Sequence, residues 1–266
     1  MKIAYFDCFS GISGDMCLGA IVGAGASCEE LSSILHQLPV EGFDLRFEQV
    51  KRHGISAVNV HVDTAREQPE RHLSEIEKII EDSELPQPVK DASKRVFGTL
   101  AAAEAAVHAT TPEHVHFHEV GAVDAIVDVV GTVAGLYILG VDKVYVSPLP
   151  VGKGFVECAH GVLPLPAPAT LSVLARKNII VYGTDADAEL VTPTGAAIAA
   201  TLSEGCGPLP PMLVQSVGYG CGKREYDRPN LLRLVIGEAP ASGAGGPDVY
   251  PCPCRNWGRG LECAER

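Results

Sequence analysis

The segment Ile3-Ala4-Tyr5-Phe6-Asp7-Cys8-Phe9-Ser10-Gly11-Ile12-Ser13-Gly14-Asp15-Met16-Cys17-Leu18-Gly19-Ala20-Ile21-Val22 decides the fold class. Residues 3–8 are apolar apart from Asp7 and read as a buried strand. A Gly- and Ser-rich turn over 9–14 interrupts them, and Asp15 then opens an apolar run of helical length. Strand, short loop and helix form the opening unit of an α/β domain. The loop has two readings. Its glycines free backbone N–H groups that suit an anion at a helix N-terminus, which makes Gly11, Ser13, Gly14 and Asp15 candidate cofactor-binding residues. It lacks the G-K-[ST] of a Walker A loop, and a plain tight turn explains the spacing equally well. Asp7 lies at the carboxyl end of the strand, where α/β sites gather, and is a candidate metal ligand.

Outward from this unit, residues 29–38 have helical spacing. Residues 43–50 and 55–62 alternate like paired strands, with a hairpin turn over 51–54. Helices are expected over 72–81 and 89–108, a strand over 141–147 that Pro148-Leu149-Pro150 ends, and helices over 169–176 and 193–202. Thr192 is a candidate N-cap, with Pro193 at the first helical position. Strands over 214–219 and 230–236 flank a Gly-rich turn. The expected fold is α/β, a mixed sheet with packed helices, in one compact domain over residues 1–237. Residues 238–266 read as a linker-like, disordered tail.

Composition narrows the function classes. The chain has 266 residues, 46% hydrophobic and 20% charged, enough for a sizeable core. A formal net charge of −12 argues against nucleic acid as a partner. The start lacks the apolar core of a signal peptide, and the nine cysteines are odd in number and scattered, as in a reducing, cytoplasmic setting. The span 120–141 is long and apolar, but Asp124 and Asp128 would each cost roughly 2.5–3.5 kcal/mol near a bilayer centre. It reads as a buried helix in a protein that does not enter a membrane.

The chemistry concentrates just before that helix, in His114-Val115-His116-Phe117-His118-Glu119-Val120-Gly121-Ala122-Val123-Asp124-Ala125-Ile126-Val127-Asp128. Unpaired carboxylates in an apolar run are costly, whereas imidazoles and carboxylates together suit a divalent metal. On a strand the three histidines would share a face; on a helix only His114 and His118 would align. An exposed histidine-bearing edge strand is the bland alternative. His116, His118 and Asp124 are candidate metal ligands, and Glu119 and Asp128 candidate catalytic groups. Asp124 and Asp128 lie four apart on one helical face. That face continues through Gly131, Thr132 and Gly135, small residues that admit a backbone or a ligand. Helix-end acids and packing glycines are the competing account, which fits Asp124 better than Asp128.

Three further stretches carry polar groups. Val151-Gly152-Lys153-Gly154 offers Lys153 to a phosphate, and Glu157-Cys158-Ala159-His160-Gly161 offers His160 to a metal. Glu189-Leu190-Val191-Thr192-Pro193-Thr194-Gly195 presents Thr192, Thr194 and Gly195 at a helix start, where capping alone also explains Thr192. Gly218-Tyr219-Gly220-Cys221-Gly222-Lys223 reads as a second glycine-rich loop. Arg224, Arg228 and Asn230 follow it as donors for a carboxylate or phosphate, with a hairpin turn as the alternative.

Five of these motifs occur together, and in that order the chain resembles the LarC family of nickel insertion proteins. They are Phe6-Asp7-Cys8-Phe9-Ser10-Gly11-Ile12-Ser13-Gly14-Asp15-Met16, the run from His116 to Asp128, the run from His160 to Thr170, Thr192-Pro193-Thr194-Gly195-Ala196-Ala197, and Arg228-Pro229-Asn230-Leu231-Leu232-Arg233. The likeness covers residues 1 to about 237. It implies a chelatase, or cyclometallase, of the lyase class. Such an enzyme places nickel into pyridinium-3,5-bisthiocarboxylic acid mononucleotide and so matures the nickel-pincer cofactor of lactate racemase. It also implies CTP with manganese or magnesium as co-reactants, and a C-terminal domain associated with CTP binding and oligomerisation. That domain is expected to be absent here and supplied by a separate product, with homo-oligomers as a further expectation. Carbon metallation needs a base for the ring proton, and a carboxylate or histidine of the central run fits that role. Two other functions are weighed: a non-catalytic nickel-binding subunit and a metal-dependent phosphohydrolase.

Overall fold

The computed structural model describes residues 1–40, 42–64, 71–117, 122–158 and 161–240. The chain opens with β1 (Lys2–Asp7), α1 (Gly14–Gly23), α2 (Cys28–Leu35), β2 (Phe43–Arg52) and β3 (Ile55–Thr64). It continues through β4 (Arg71–His72), α3 (Leu73–Glu81), α4 (Gln87–Val107), β5 (His116–Phe117), α5 (Val123–Ile138) and β6 (Lys143–Val146). Then come β7 (Leu149–Val151), β8 (Phe155–Cys158), β9 (Gly161–Pro164), α6 (Pro168–Arg176) and β10 (Val181–Gly183). The last elements are α7 (Pro193–Leu202), β11 (Ser203–Cys206), β12 (Leu213–Cys221) and β13 (Leu231–Glu238).

Seven strands form one mixed sheet in the order β11-β6-β1-β13-β12-β3-β2. β1 runs parallel to β6 and antiparallel to β13. The alternation along β1 and β13 puts Ala4, Phe6, Leu232, Leu234 and Ile236 in the main core, under the helices. β2 and β3 form the expected hairpin, with Arg52 paired to Ile55. His53 and Gly54 turn it with φ of 47° and 86°, the left-handed pair that a two-residue hairpin turn uses.

α5 is the buried helix that the span 120–141 promised, covered from Val123 to Leu136 on nearly every side. Its Gly131 and Gly135 admit Leu18 and Ile21 of α1: a Cβ there would lie 2.6 Å and 2.4 Å from those side chains. The small-residue stripe is therefore a helix-packing seam, and no ligand need enter it. Among the described residues no helix is long and apolar enough to cross a membrane. Six cysteines are free among them.

Four expectations are corrected. The strand before Pro148 ends as expected, at Val146, but Leu149 and Pro150 then open a further, unexpected strand, β7, parallel to β10. Pro150 is tolerated because this ladder has only two strands. His114 closes a single 3-10 turn (Pro112–His114), and its ring meets the Thr111 hydroxyl at 3.0 Å, so the three histidines share neither a strand nor a helix.

The third correction concerns Gly218 to Cys221, which lie within β12 and form no loop. A Cβ at Gly218 would stand 2.0 Å from the Ala20 carbonyl, and one at Gly220 would stand 1.8 Å from that of Met16. These glycines let α1 lie directly on the sheet. Gly19 answers from the helix side, where a Cβ would meet the Val58 carbonyl at 2.3 Å. The tail expected over 238–266 starts later: Glu238 closes β13 and the Ala239 N–H donates to the Met1 carbonyl at 2.9 Å, while residues 241–266 lie outside the described residues.

Candidate functional site at three helix starts

The first turns of α1, α5 and α7 meet around a cleft of about 280 Å³. Ser13 and Asp15 come from the first helix, Asp124 and Asp128 from the second, Thr192 and Thr194 from the third. Glu189 lines it from the approach to α7, and Lys223, Arg224, Tyr226 and Asn230 from the β12–β13 connection. Each helix start points the positive end of a dipole at the cleft, and its acids and cap already take the Met16, Ala125 and Gly195 N–H groups.

Backbone contact sets this convergence. The Ile12 N–H donates to the Leu190 carbonyl at 2.9 Å, and the Thr192 N–H donates to the Ile12 carbonyl at 3.2 Å. Gly11, at φ 110°, makes the approach possible, since a Cβ would stand 1.9 Å from the Leu190 carbonyl. Gly195 does the same from α7, where a Cβ would fall 2.3 Å from the Ile12 carbonyl. Gly11 and Gly195 thus join the two loops and do not line the cleft. The Thr192 hydroxyl accepts from the Gly195 N–H at 3.1 Å, as its capping position predicts.

The carboxylates are held differently. Asp15 is buried; its Oδ1 accepts the Met16 N–H at 2.8 Å and the Ser13 hydroxyl. Asp124 accepts the Ala125 N–H at 2.9 Å at the start of α5. Asp128 sits one turn deeper against Gly14, where a Cβ would stand 2.5 Å from its carboxylate. Although Asp128 as a residue is only partly covered, its Oδ1 is enclosed and has no hydrogen-bond partner among the described residues. Burial above all, with Asp15 and Asp124 adding repulsion, holds its carboxyl well above the usual carboxylate range. Lys223 and the Asp15 N–H act in the opposite sense.

Several expected site residues lie elsewhere. Asp7 is opposite Arg233 in the β1–β13 register, and Arg233 Nε donates to its Oδ2 at 2.9 Å while a second guanidinium nitrogen meets the same oxygen. Lys153 is exposed and pairs with Asp185 at 3.1 Å, away from the cleft lining. His118, Glu119 and His160 lie outside the described residues, as does the side chain of His116. Among the described residues no three His, Cys, Asp or Glu side chains converge closely enough to hold a metal ion. Tyr226 is a cleft residue that sequence reading missed; a lone tyrosine after a charged turn carries no signal by itself.

A model of the nickel insertion protein family matches residues 4–249. The chain is 50% identical over 238 residues to the pyridinium-3,5-bisthiocarboxylic acid mononucleotide nickel insertion protein of Desulfitobacterium hafniense (strain DSM 10664 / DCB-2). That alignment covers 90% of this chain and 59% of the relative. The protein of the same name from strain Y51 gives the same identity and coverage. The chain therefore spans about three fifths of the length of these relatives. No solved structure matches. With the family match running through the sheet, the helices and every residue of the cleft, the chain belongs to the nickel insertion protein family.

Proposed function

We propose that this chain inserts nickel into pyridinium-3,5-bisthiocarboxylic acid mononucleotide, at the cleft where α1, α5 and α7 begin. The reaction is a cyclometallation of the chelatase type, within the lyase class, and the product serves lactate racemase. One observation carries the reading: Asp128, an enclosed carboxyl with an unpartnered Oδ1, stands in a cleft that also holds Lys223 and Arg224. The two thiocarboxylates of the substrate are anions, and Lys223 and Arg224 of the cleft lining, with the Thr194 hydroxyl, suit them. Gly14 leaves room for Asp128 beside the ring.

Nickel enters as cargo. Asp124, with His116, His118 and His160, supplies the mixed oxygen and nitrogen donors that suit it. Forming the carbon–nickel bond breaks a ring C–H bond, and the proton leaves to a base. Asp128 takes that proton in its ionised form, because the burial and repulsion that raise its pKa make the carboxylate a stronger base. Glu119 is the second candidate for the same step. Asp7 and Lys153 are given no part, since Arg233 and Asp185 engage them. Manganese or magnesium with CTP belongs to the complete reaction as co-reactant. Oxygen donors for such a cation are available in Asp15 and Asp124. The setting proposed is the cytoplasm.

Calorimetric nickel titration tests the metal assignment. The wild type is expected to bind nickel, and His116→Ala/His118→Ala to bind it at least tenfold more weakly. Equal affinity in the two proteins would sink the assignment.

A further inference from the structure

Beside the cleft lies a second pocket of about 180 Å³. The β2–β3 turn builds one side of it with Lys51, Arg52 and His53, and Arg228 faces them. Tyr226 and Asn230 line both this pocket and the cleft, so the two share a wall. Two contacts tie the turn to the β12–β13 connection. An Arg52 Nη lies 3.0 Å from a Glu225 carboxylate oxygen, and the His53 ring nitrogen lies 3.1 Å from the Tyr226 carbonyl. Arg52 Nε is enclosed, and the guanidinium also lies against the buried Cys221 thiol, so the side chain is held in place from the core side.

In a chain with net charge −12, this pocket gathers Lys51, Arg52 and Arg228 against the single carboxylate of Glu225. The cleft across the shared wall has the opposite character, with Asp15, Asp124, Asp128 and Glu189. We infer that the basic pocket is the subsite for the phosphate monoester of the mononucleotide, whose pyridinium head lies in the cleft. The inference rests on the proposed function, and it matches the polarity of such a molecule: a metal-binding head at one end and a dianion at the other. The planar guanidinium of Arg52 also suits bidentate contact with phosphate.

The test uses nicotinic acid mononucleotide, a pyridinium mononucleotide without sulfur, its riboside, inorganic phosphate and CTP, each titrated calorimetrically without nickel. The wild type is expected to bind the mononucleotide at least tenfold more tightly than the riboside, and to bind it more weakly at high salt. Arg52→Gln/Arg228→Gln should erase that preference and leave riboside affinity unchanged. Arg228→Gln alone, at an exposed position, should weaken the mononucleotide severalfold even if the double variant fails to fold. Retained mononucleotide affinity in these variants would overturn the inference. So would an equal loss of riboside affinity, or a wild type that binds neither mononucleotide nor phosphate. Tighter binding of CTP than of the mononucleotide, lost in the same variants, would give the pocket to a triphosphate instead. Failed nickel insertion with this binding intact would count against the proposed function alone.

Discussion

At the scale of single residues, Asp128 is where stability and chemistry conflict. Its carboxyl is held well above the usual range, first by burial and then by Asp15 and Asp124. The native state therefore binds a proton that the unfolded chain has already released above its ordinary value of 3.8. The sign follows from linkage: stability is full below that value and falls as pH rises from it towards the raised native pKa. Asp128→Asn removes the titrating group and keeps its shape. The variant should melt at a higher temperature than the wild type at neutral pH, and its melting temperature should lose the decline above about pH 4. Parallel melting curves for the two proteins across that range would contradict the burial argument. Asp7 shows the opposite outcome for an aspartate flagged in the sequence. Its position at a strand end resembled a ligand position, but the register sets Arg233 directly across from it. That pairing depends on a strand more than two hundred residues away, so nothing local to Asp7 signals it.

At the scale of elements, the glycines divide into those that something touches and those that nothing does. α1 presses its backbone onto β12 at Gly218 and Gly220, and the added Cβ of Gly220→Ala would collide with the Met16 carbonyl. That variant should lose about 1–3 kcal/mol of stability, the usual cost of overpacking, because neither backbone can move aside. Gly98, inside α4, has nothing within 4 Å of its missing Cβ. Gly98→Ala should gain about 0.5–1 kcal/mol from helix propensity alone. Urea denaturation of both variants checks the pair, and a stable Gly220→Ala would remove the packing account of the glycine run. The same comparison shows what is legible in sequence. Apolar period and capping residues place α7 at Pro193–Leu202 as expected, because both signals are local. Residues 218–221 read as a loop because glycine marks turns and close packing alike, and only the position of α1 separates the two.

At the scale of the whole molecule, the cleft gathers motifs from four distant parts of the chain. Ser13, Asp15, Asp124, Asp128, Thr192 and Thr194 each carried a local sign in the sequence, a helix start or an acid in an apolar run, and the fold brings them together. Lys51, Arg52 and His53 carried none, since a charged hairpin turn is an ordinary surface feature. Their role emerges only when the β2–β3 turn meets the β12–β13 connection. The molecule thus places an acidic cleft and a basic pocket side by side on one edge of its core, as a metal-accepting mononucleotide requires. The most direct test of that arrangement is mass spectrometry of the mononucleotide after anaerobic incubation with this chain, nickel, CTP and manganese. The wild type is expected to yield product that carries nickel in place of the ring proton. Asp128→Asn, folded and still binding nickel, is expected to yield at least a hundredfold less. Equal product from both proteins, or none from either, would contradict the assignment of this cleft to nickel insertion.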